Sequence, residues 1–289
     1  MKFPIVVIVG ETASGKSDLA IDIAKKFNGE IINADSWAVY KNFNIGTAKP
    51  QPIDRKGVRH HLIDVANPNE GFSAAEFKKL AQEAIYKINN KGKLPIIVGG
   101  TGLYVDSLIY DYSFLPPSSN KSRQYYESLG LDQLKKMCID LGYDSSRVDL
   151  NNKRRVIRFL ENQGMYPTSK PLIDNVLIMG IKISPEKLEE NIKQRTEKMM
   201  AIGLENEVRK LVTKYGWNIE PMKGIGYREF KDYFDKIINR QELIDRINKD
   251  TIKLVKKQRT WFKRNKSIQW YSNRFQFVDA ITTIMNKFS

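Results

Sequence analysis

Gly10-Glu11-Thr12-Ala13-Ser14-Gly15-Lys16-Ser17 decides the fold. The stretch fits Gly-x4-Gly-Lys-Ser/Thr, the pattern of a phosphate-binding loop. Its flanks are those such a loop needs. Ile5 to Val9 is an unbroken apolar run, the mark of a strand buried on both faces of a parallel sheet. Beyond the loop, Leu19, Ala20, Ile23, Ala24 and Phe27 recur at helical spacing. The loop therefore joins a strand to a helix N-terminus, where backbone N–H groups and the helix dipole cradle a diphosphate or polyphosphate. Lys16 is placed to neutralise phosphate charge, and the Ser17 hydroxyl to hold Mg2+. A chance glycine-rich turn is the alternative, and strand, pattern and helix together weigh against it. The loop identifies a phosphate ligand, not the reaction that follows.

Working outward, Gly29 reads as the C-cap of the first helix, and Glu30 to Ala34 as a second strand ending in Asp35-Ser36. Phe72 to Asn90 is a predicted helix in which Ser73 and Glu76 form a capping box. Pro95 to Val98 is a third buried strand, followed by Gly99-Gly100-Thr101-Gly102. In an open α/β sheet, ligands sit beyond the carboxyl ends of the strands. Asp35 and Thr101 are therefore candidate site residues, with a helix cap and a tight turn as their alternatives. P-loop ATPases and GTPases hold Mg2+ partly with an Asp at a strand end. Here the Ile96–Val98 strand ends in glycines, which lowers the case for a nucleotide-hydrolysing motor or switch.

Pro116-Pro117-Ser118-Ser119-Asn120 is a linker-like break, and the chain up to residue 173 carries helical patterns without a convincing strand. Asn151 to Arg158 concentrates four basic residues and no acid. Val176 to Ile183 returns to strand, with Ser184 and Pro185 opening a helix that carries Arg195. Gly203 to Tyr215 is a further helix, and Lys223 to Arg228 a basic, glycine-containing turn. A long helix runs from Gln241 to Arg264, with Leu243, Ile244, Ile247, Thr251, Leu254, Val255, Gln258, Trp261 and Phe262 at helical spacing. Its second half, Lys253 to Lys266, holds seven positive charges and no negative one, a solvated face or a surface for a polyanion. Ile268 to Tyr271 is a last strand and Phe277 to Phe288 a closing helix. The expected fold is α/β: a P-loop NTPase-like parallel sheet core, residues 1–115 and 174–289, with a mostly helical insert over 116–173.

Of the 289 residues, 41% are hydrophobic, enough for a substantial core, and the net charge is +15. That excess suits a nucleic acid before a membrane, although a Lys-, Asn- and Ile-rich bias gives the same number. A lone cysteine, Cys138, excludes an internal disulfide and argues against a cysteine-based zinc site. His60 and His61 are adjacent, so they point different ways and read as packing or polar-contact residues, not a metal pair. No apolar stretch approaches the about 18 residues of a membrane span, and the first strand leads directly into the loop, so the expected location is the cytoplasm.

Five stretches coincide with one family: the phosphate loop; Asp35-Ser36 with Val39-Tyr40 and Ile45-Gly46-Thr47-Ala48-Lys49-Pro50; Gly99 to Tyr104; Gly224-Ile225-Gly226-Tyr227; and Lys257-Gln258-Arg259-Thr260-Trp261-Phe262. In their order and over most of the chain, the sequence resembles the bacterial tRNA dimethylallyltransferases. The phosphate loop is unspecific; Ile-Gly-Thr-Ala-Lys-Pro and Lys-Gln-x-Thr-Trp are highly specific. The resemblance implies transfer of a dimethylallyl group from its diphosphate to N6 of the adenine beside the anticodon of tRNA, with Mg2+ at Ser17. It implies that Gly10, Glu11, Thr12, Ala13, Ser14, Gly15, Lys16, Ser17 and Arg195 bind the diphosphate. Asp35 is then the base that takes the amine proton, and Thr101 orients the reacting groups. The tRNA contacts it implies are Asp35, Ser36, Trp37, Ala38 and Thr101; Arg155, Val156, Ile157, Arg158 and Phe159; and Lys223, Gly224, Ile225, Gly226, Tyr227 and Arg228. Arg123 is a further candidate from its place after the linker. Many members have Gln at the position of Ala38, which puts one local tRNA contact in doubt. The implied partners are the anticodon stem-loop of tRNA and dimethylallyl diphosphate, without a membrane and with the chain as a monomer. The rival readings are a small-molecule P-loop kinase, an isopentenyl transferase acting on free adenine nucleotides, and a non-catalytic RNA-binding protein.

Overall fold

The computed structural model describes residues 4–116 and 120–287. It divides into two compact units, Met1–Ile109 with Ile173–Ser289, and Tyr110–Leu172.

The first unit opens with β1 (Ile5–Val9), α1 (Lys16–Lys26), β2 (Gly29–Asn33), β3 (His60–His61), α2 (Ala74–Asn90), β4 (Leu94–Gly99) and α3 (Gly102–Ile109). The second contains α4 (Asn120–Ser128), α5 (Leu131–Asp140) and α6 (Lys153–Glu161). The first resumes with β5 (Val176–Ile181), α7 (Pro185–Ala201), α8 (Leu204–Tyr215), a 3-10 turn at Glu220–Lys223, α9 (Phe230–Phe234), α10 (Arg240–Lys263), β6 (Gln269–Tyr271) and α11 (Arg274–Met285). Phe288, the expected end of the closing helix, lies outside the described residues.

Among the described residues the strands form one six-stranded sheet in the order β3-β2-β4-β1-β5-β6, and every pairing is parallel. The all-parallel order sends every strand's carboxyl end to the same edge. The loop after β1, Asp35 after β2 and Thr101 after β4 therefore share that edge, as a doubly wound sheet requires. The apolar runs of β1 and β4 are buried throughout, with α1 (Ala20, Ile21, Ile23, Ala24) and α11 (Phe277, Ile281) packed in the same cluster. The Ser73–Glu76 capping box and the Ser184–Pro185 helix start form as the sequence predicts.

Two local readings change. Gly29 is not the cap of the first helix: α1 ends at Lys26, and Asn28 takes the left-handed turn at φ 50°. Gly29 instead opens β2, where a Cβ would lie 2.6 Å from Ile96 Cδ1 on the neighbouring strand. The edge strand β3 has no sequence signature, because two histidines carry no apolar alternation. His61 Nε2 is 2.7 Å from the Glu30 carboxylate, which is 2% exposed. Burial alone would raise that carboxyl, but His61, Lys93 and Lys91 hold it down at about 2. The two histidines are thus polar-contact residues, His60 Nδ1 lying 3.0 Å from Val58 O.

Among the described residues the second unit holds three helices and one bridge, Ser113 with Thr168, and its core gathers Leu134, Cys138, Val156, Ile157, Phe159 and Leu160. Its boundary falls at Tyr110, ahead of the Pro116 break, because Lys170 N–H donates to Tyr110 O and ties the two ends of the insert together. Residues 117–119 of that break lie outside the described residues.

The carboxyl edge of the sheet tolerates no bulk where β4 leaves it. A Cβ on Gly99 would sit 2.1 Å from Ala34 O. Gly99→Ala is therefore expected to lower the unfolding free energy by about 1–3 kcal/mol through forced backbone displacement. Urea titration followed by circular dichroism checks it.

Candidate active site

The loop between β1 and α1 is built on unusual backbone. Ala13 and Gly15 take positive φ, 66° and 84°. A Cβ on Gly10 would meet Ser14 Oγ at 2.9 Å, so the first glycine makes room for the folded-back serine. Ser14 is 8% exposed, and its Oγ has no hydrogen-bond partner within the protein. A buried hydroxyl without a partner is costly unless a ligand uses it. Lys16, at the start of α1, donates from Nζ to Glu11 O at 3.1 Å. Its pKa falls to about 8: desolvation and the neighbouring Arg195 lower it, while Asp35 and Glu11 oppose the fall. Arg195, on α7, is lowered by desolvation against the pull of Asp35. Two cations therefore share a poorly hydrated crevice with few counter-charges, which favours an incoming anion.

Asp35 and Thr101 come together as their strand-end positions predict. Thr101 Oγ1 accepts from Ser36 N–H at 3.0 Å and lies 3.3 Å from Ser36 Oγ, locking the ends of β2 and β4. Asp35 Oδ1 accepts from Trp37 N–H at 2.9 Å. That carboxylate closes a turn rather than capping a helix, and it lines the cavity described below.

What the sequence motifs did not disclose is how the loop is held. Gln258, on α10, accepts from Thr12 N–H through Oε1 at 2.8 Å and donates from Nε2 to Gly100 O at 3.1 Å. Next to it, Arg259 Nε pairs with Glu11 Oε1 at 2.7 Å, and Trp261 Nε1 donates to Asp106 at 2.8 Å. Asn191 Nδ2, on α7, donates to Ala13 O at 3.0 Å. Glu11, placed by the motif among diphosphate ligands, thus spends one carboxylate oxygen on Arg259, and its Oε2 has no partner. The available signal was Gln258 itself, a polar residue within the apolar stripe of its helix.

A cavity of about 70 Å3 opens beside the loop. Thr12, Asp35 and Arg195 give it a polar part; Ile192, Met199, Ile225, Tyr227, Ile247 and Leu254 give it an apolar one. Gly224, Ile225, Gly226 and Tyr227 all line it, but Tyr227 is 1% exposed and Ala38 4%, so neither side chain presents itself to a macromolecule. Lys223 and Arg228 are on the surface, each tied to acids, Lys223 to Glu220 and Arg228 to Glu229 and Asp250.

In the second unit, Val156, Ile157 and Phe159 are core residues of α6. Their side chains support the helix, while Arg154 and Arg155 are exposed and Arg158 is half-buried. Arg158 donates to the carbonyls of Leu115 and Pro116, and Arg123 pairs with Glu127 and Glu161, the latter 1% exposed. Arg123 is thus a structural cross-link between α4 and α6.

A family model described as IPP transferase matches residues 38–265. A curated tRNA dimethylallyltransferase of Anoxybacillus flavithermus is 40% identical over 278 residues, spanning 92% of this chain and 89% of the relative. That of Bacillus subtilis is 36% identical over 285 residues, spanning 93% and 91%. Among solved structures, a tRNA isopentenylpyrophosphate transferase of Bacillus halodurans aligns with a TM-score of 0.76 at 33% identity, over 99% of this chain and 96% of that one. A eukaryotic dimethylallyltransferase acting on tRNA aligns with a TM-score of 0.75 at 27% identity, over 90% and 70%.

Gln258→Leu removes both hydrogen bonds and orphans two backbone groups, at about 1–3 kcal/mol each. The expected result is a fall of at least about tenfold in diphosphate affinity by calorimetry, with far-ultraviolet dichroism unchanged.

Proposed function

Because the chain belongs to the IPP transferase family, we propose that it transfers a dimethylallyl group from dimethylallyl diphosphate to N6 of the adenine adjacent to the anticodon of tRNA. One observation carries the reading: a single cavity is lined by Thr12, Arg195 and Asp35 together with the apolar side chains of Ile192, Met199, Ile225, Ile247 and Leu254. A donor with a diphosphate head and a short hydrocarbon tail matches both parts.

In this reading the loop N–H groups, Ser14 Oγ, Lys16 and Arg195 bind the diphosphate. They stabilise the charge that builds on it as the allylic C–O bond breaks. The N6 amine attacks the freed carbon, forming the C–N bond, and its proton passes to the Asp35 carboxylate. An exocyclic adenine amine is a poor nucleophile, so a base within hydrogen-bond reach lowers the barrier. Thr101 fixes Ser36, and through it the turn that presents Asp35. The target base leaves its stack to reach the cavity.

The residues present suit Mg2+ held chiefly by phosphate oxygens and water. Among the described residues no three acidic, histidine or cysteine side chains converge, while the exposed Ser17 hydroxyl lies beside Lys16 at the start of α1. When bound, the ion neutralises charge on the leaving diphosphate.

The surplus of +15 favours tRNA over a free nucleotide as acceptor, and Arg155, Arg158, Lys223 and Arg228 are the cations offered to its phosphates. A kinase has no use for the apolar part of the cavity. No helix among the described residues is long and apolar enough to cross a membrane.

Labelled dimethylallyl diphosphate is expected to label unmodified tRNA, and to fail when the adenine 3′ of the anticodon is replaced. Label in AMP but not in tRNA would move the assignment to the free-nucleotide enzyme. Asp35→Ala is expected to lower turnover by about 10²–10⁴ with tRNA binding largely kept; wild-type turnover in that variant would remove the base assignment.

Lys16 sets a pH dependence. Its pKa is about 8 in the free protein, and a bound diphosphate raises it. Binding therefore takes up a proton above that pH. Donor affinity is expected to be level just below pH 8 and to fall by up to about tenfold per unit above it. Calorimetry across pH checks this, and Lys16→Met should abolish the slope.

A further inference from the structure

Two helices leave the phosphate loop side by side, packed through Leu188, Ile192 and Val255. On α7, Asn191 touches Ala13 in the loop, Arg195 follows one turn on, and Met199 lies another turn beyond. On α10, Gln258 touches Thr12, and Leu254, Thr251 and Ile247 line the cavity at successive turns away from it. Ile247 is thus roughly 16 Å along the helix from the residue that holds the loop.

Gly46 and Tyr227 line the same cavity. The Tyr227 ring is held by its neighbours on the sides away from the cavity. Its hydroxyl donates to Glu207 Oε1 at 2.8 Å. The same carboxylate accepts from the N–H groups of Asn44 at 3.1 Å, Ile45 at 2.8 Å and Gly46 at 3.2 Å. Phe43 meets the ring edge-on, with centroids 5.0 Å apart. A Cβ on Gly46 would lie 2.5 Å from Tyr227 Cζ, so the loop has been cut back to backbone to seat the ring. The space that remains, about 70 Å3, is about half the ~150 Å3 apolar cavity that admits a benzene ring. A five-carbon tail, nearly the size of benzene, already takes up all of it, so a second isoprene unit requires a wall to move.

We propose that Tyr227, held in place by Glu207, is the wall that limits the prenyl donor to a single isoprene unit. This rests on the transferase reading above. Glu207 acts as a positioning residue. Its four donors leave it no freedom to turn, and the ring it anchors sets how far a hydrocarbon chain can extend from the loop.

The test compares dimethylallyl diphosphate with geranyl diphosphate as donors, by kcat/KM with tRNA and by calorimetry without it. Wild type is expected to prefer the five-carbon donor by at least about 100-fold, the upper range for exclusion by one pocket wall. Tyr227→Ala should raise the geranyl-to-dimethylallyl ratio by at least about tenfold, whereas Tyr227→Phe, which keeps the ring, should leave that ratio near the wild-type value. Tyr227→Leu, smaller but still apolar, serves where the alanine variant does not fold. Wild type using both donors equally, or an unchanged ratio in a folded alanine or leucine variant, would overturn the proposal. So would a change confined to KM for tRNA, which would assign this part of the cavity to the base. If wild type labels no tRNA with either donor, the transferase reading fails separately. Donor binding then decides the wall: a five-carbon preference lost in Tyr227→Leu supports it, and equal binding of both donors to wild type overturns it.

Discussion

The amide of Gln258 holds the crevice together. The parallel ladder between β1 and β4 ends at the pair Val9–Gly99, and beyond it the two chains diverge toward their separate turns. Gln258 replaces the missing ladder rung, accepting from Thr12 N–H and donating to Gly100 O with one planar group. Few side chains can do this. A carboxylate has no proton to donate, an aliphatic chain has neither function, and asparagine is a methylene shorter. The bridge also dictates its partner, because a Cβ on Gly100 would lie 2.4 Å from Gln258 Nε2. Its flanking contacts, Arg259 with Glu11 and Trp261 with Asp106, make one turn of α10 a clamp across the loop and α3. The phosphate loop is thereby set by a residue almost the whole chain away.

That fixed backbone lets charge be left unbalanced. Lys16 and Arg195 are both disfavoured as cations by desolvation, and the carboxylate that reaches both is Asp35. Glu11, the other acid in the loop, is drawn off by Arg259. A folded protein tolerates such a surplus only if packing elsewhere supports it, and the clamp from α10 supplies that support here. The surface pairs differ in kind. Lys223 with Glu220 and Arg228 with Asp250 are half-exposed, worth little in isolation, and free to exchange a carboxylate for a phosphate.

The sheet was readable because each strand announces itself locally. Buried parallel strands are unbroken apolar runs, and β1, β4 and β5 are nothing else. Asp35 and Thr101 could be placed at one edge because parallel strands share a carboxyl end. The edge strand β3 could not, since its two histidines serve polar contacts, His61 with Glu30 and His60 with the Val58 carbonyl, and not a sheet face. Gly29 was misread for a related reason: a glycine after a helix usually serves its backbone angle, whereas this one makes space for Ile96 on the next strand. Motif positions within α6 and at Tyr227 were legible as motifs, but a motif does not say which side chains face inward. Burial decides that Val156, Ile157, Phe159 and Tyr227 act through packing.

The loop from Asn44 to Pro50 carries the same logic furthest. It has no strand or helix to satisfy its backbone, and buried N–H groups cannot be left without acceptors. Glu207 takes three in succession. From the other side Lys49, with its side chain 1% exposed, donates to Tyr40 O at 2.7 Å, Asn44 Oδ1 at 3.2 Å and Asp64 Oδ1 at 2.7 Å. Burial lowers the Lys49 pKa and Asp64 opposes the fall, so the ammonium is kept by geometry. A buried lysine and a half-buried glutamate, each held by several directed hydrogen bonds, fix an irregular loop more tightly than apolar contacts could, because a hydrogen bond has a direction and a hydrophobic contact does not. A cavity wall built on such a loop has little freedom to move, so the size of the space beside the phosphate-binding loop is set by the fold.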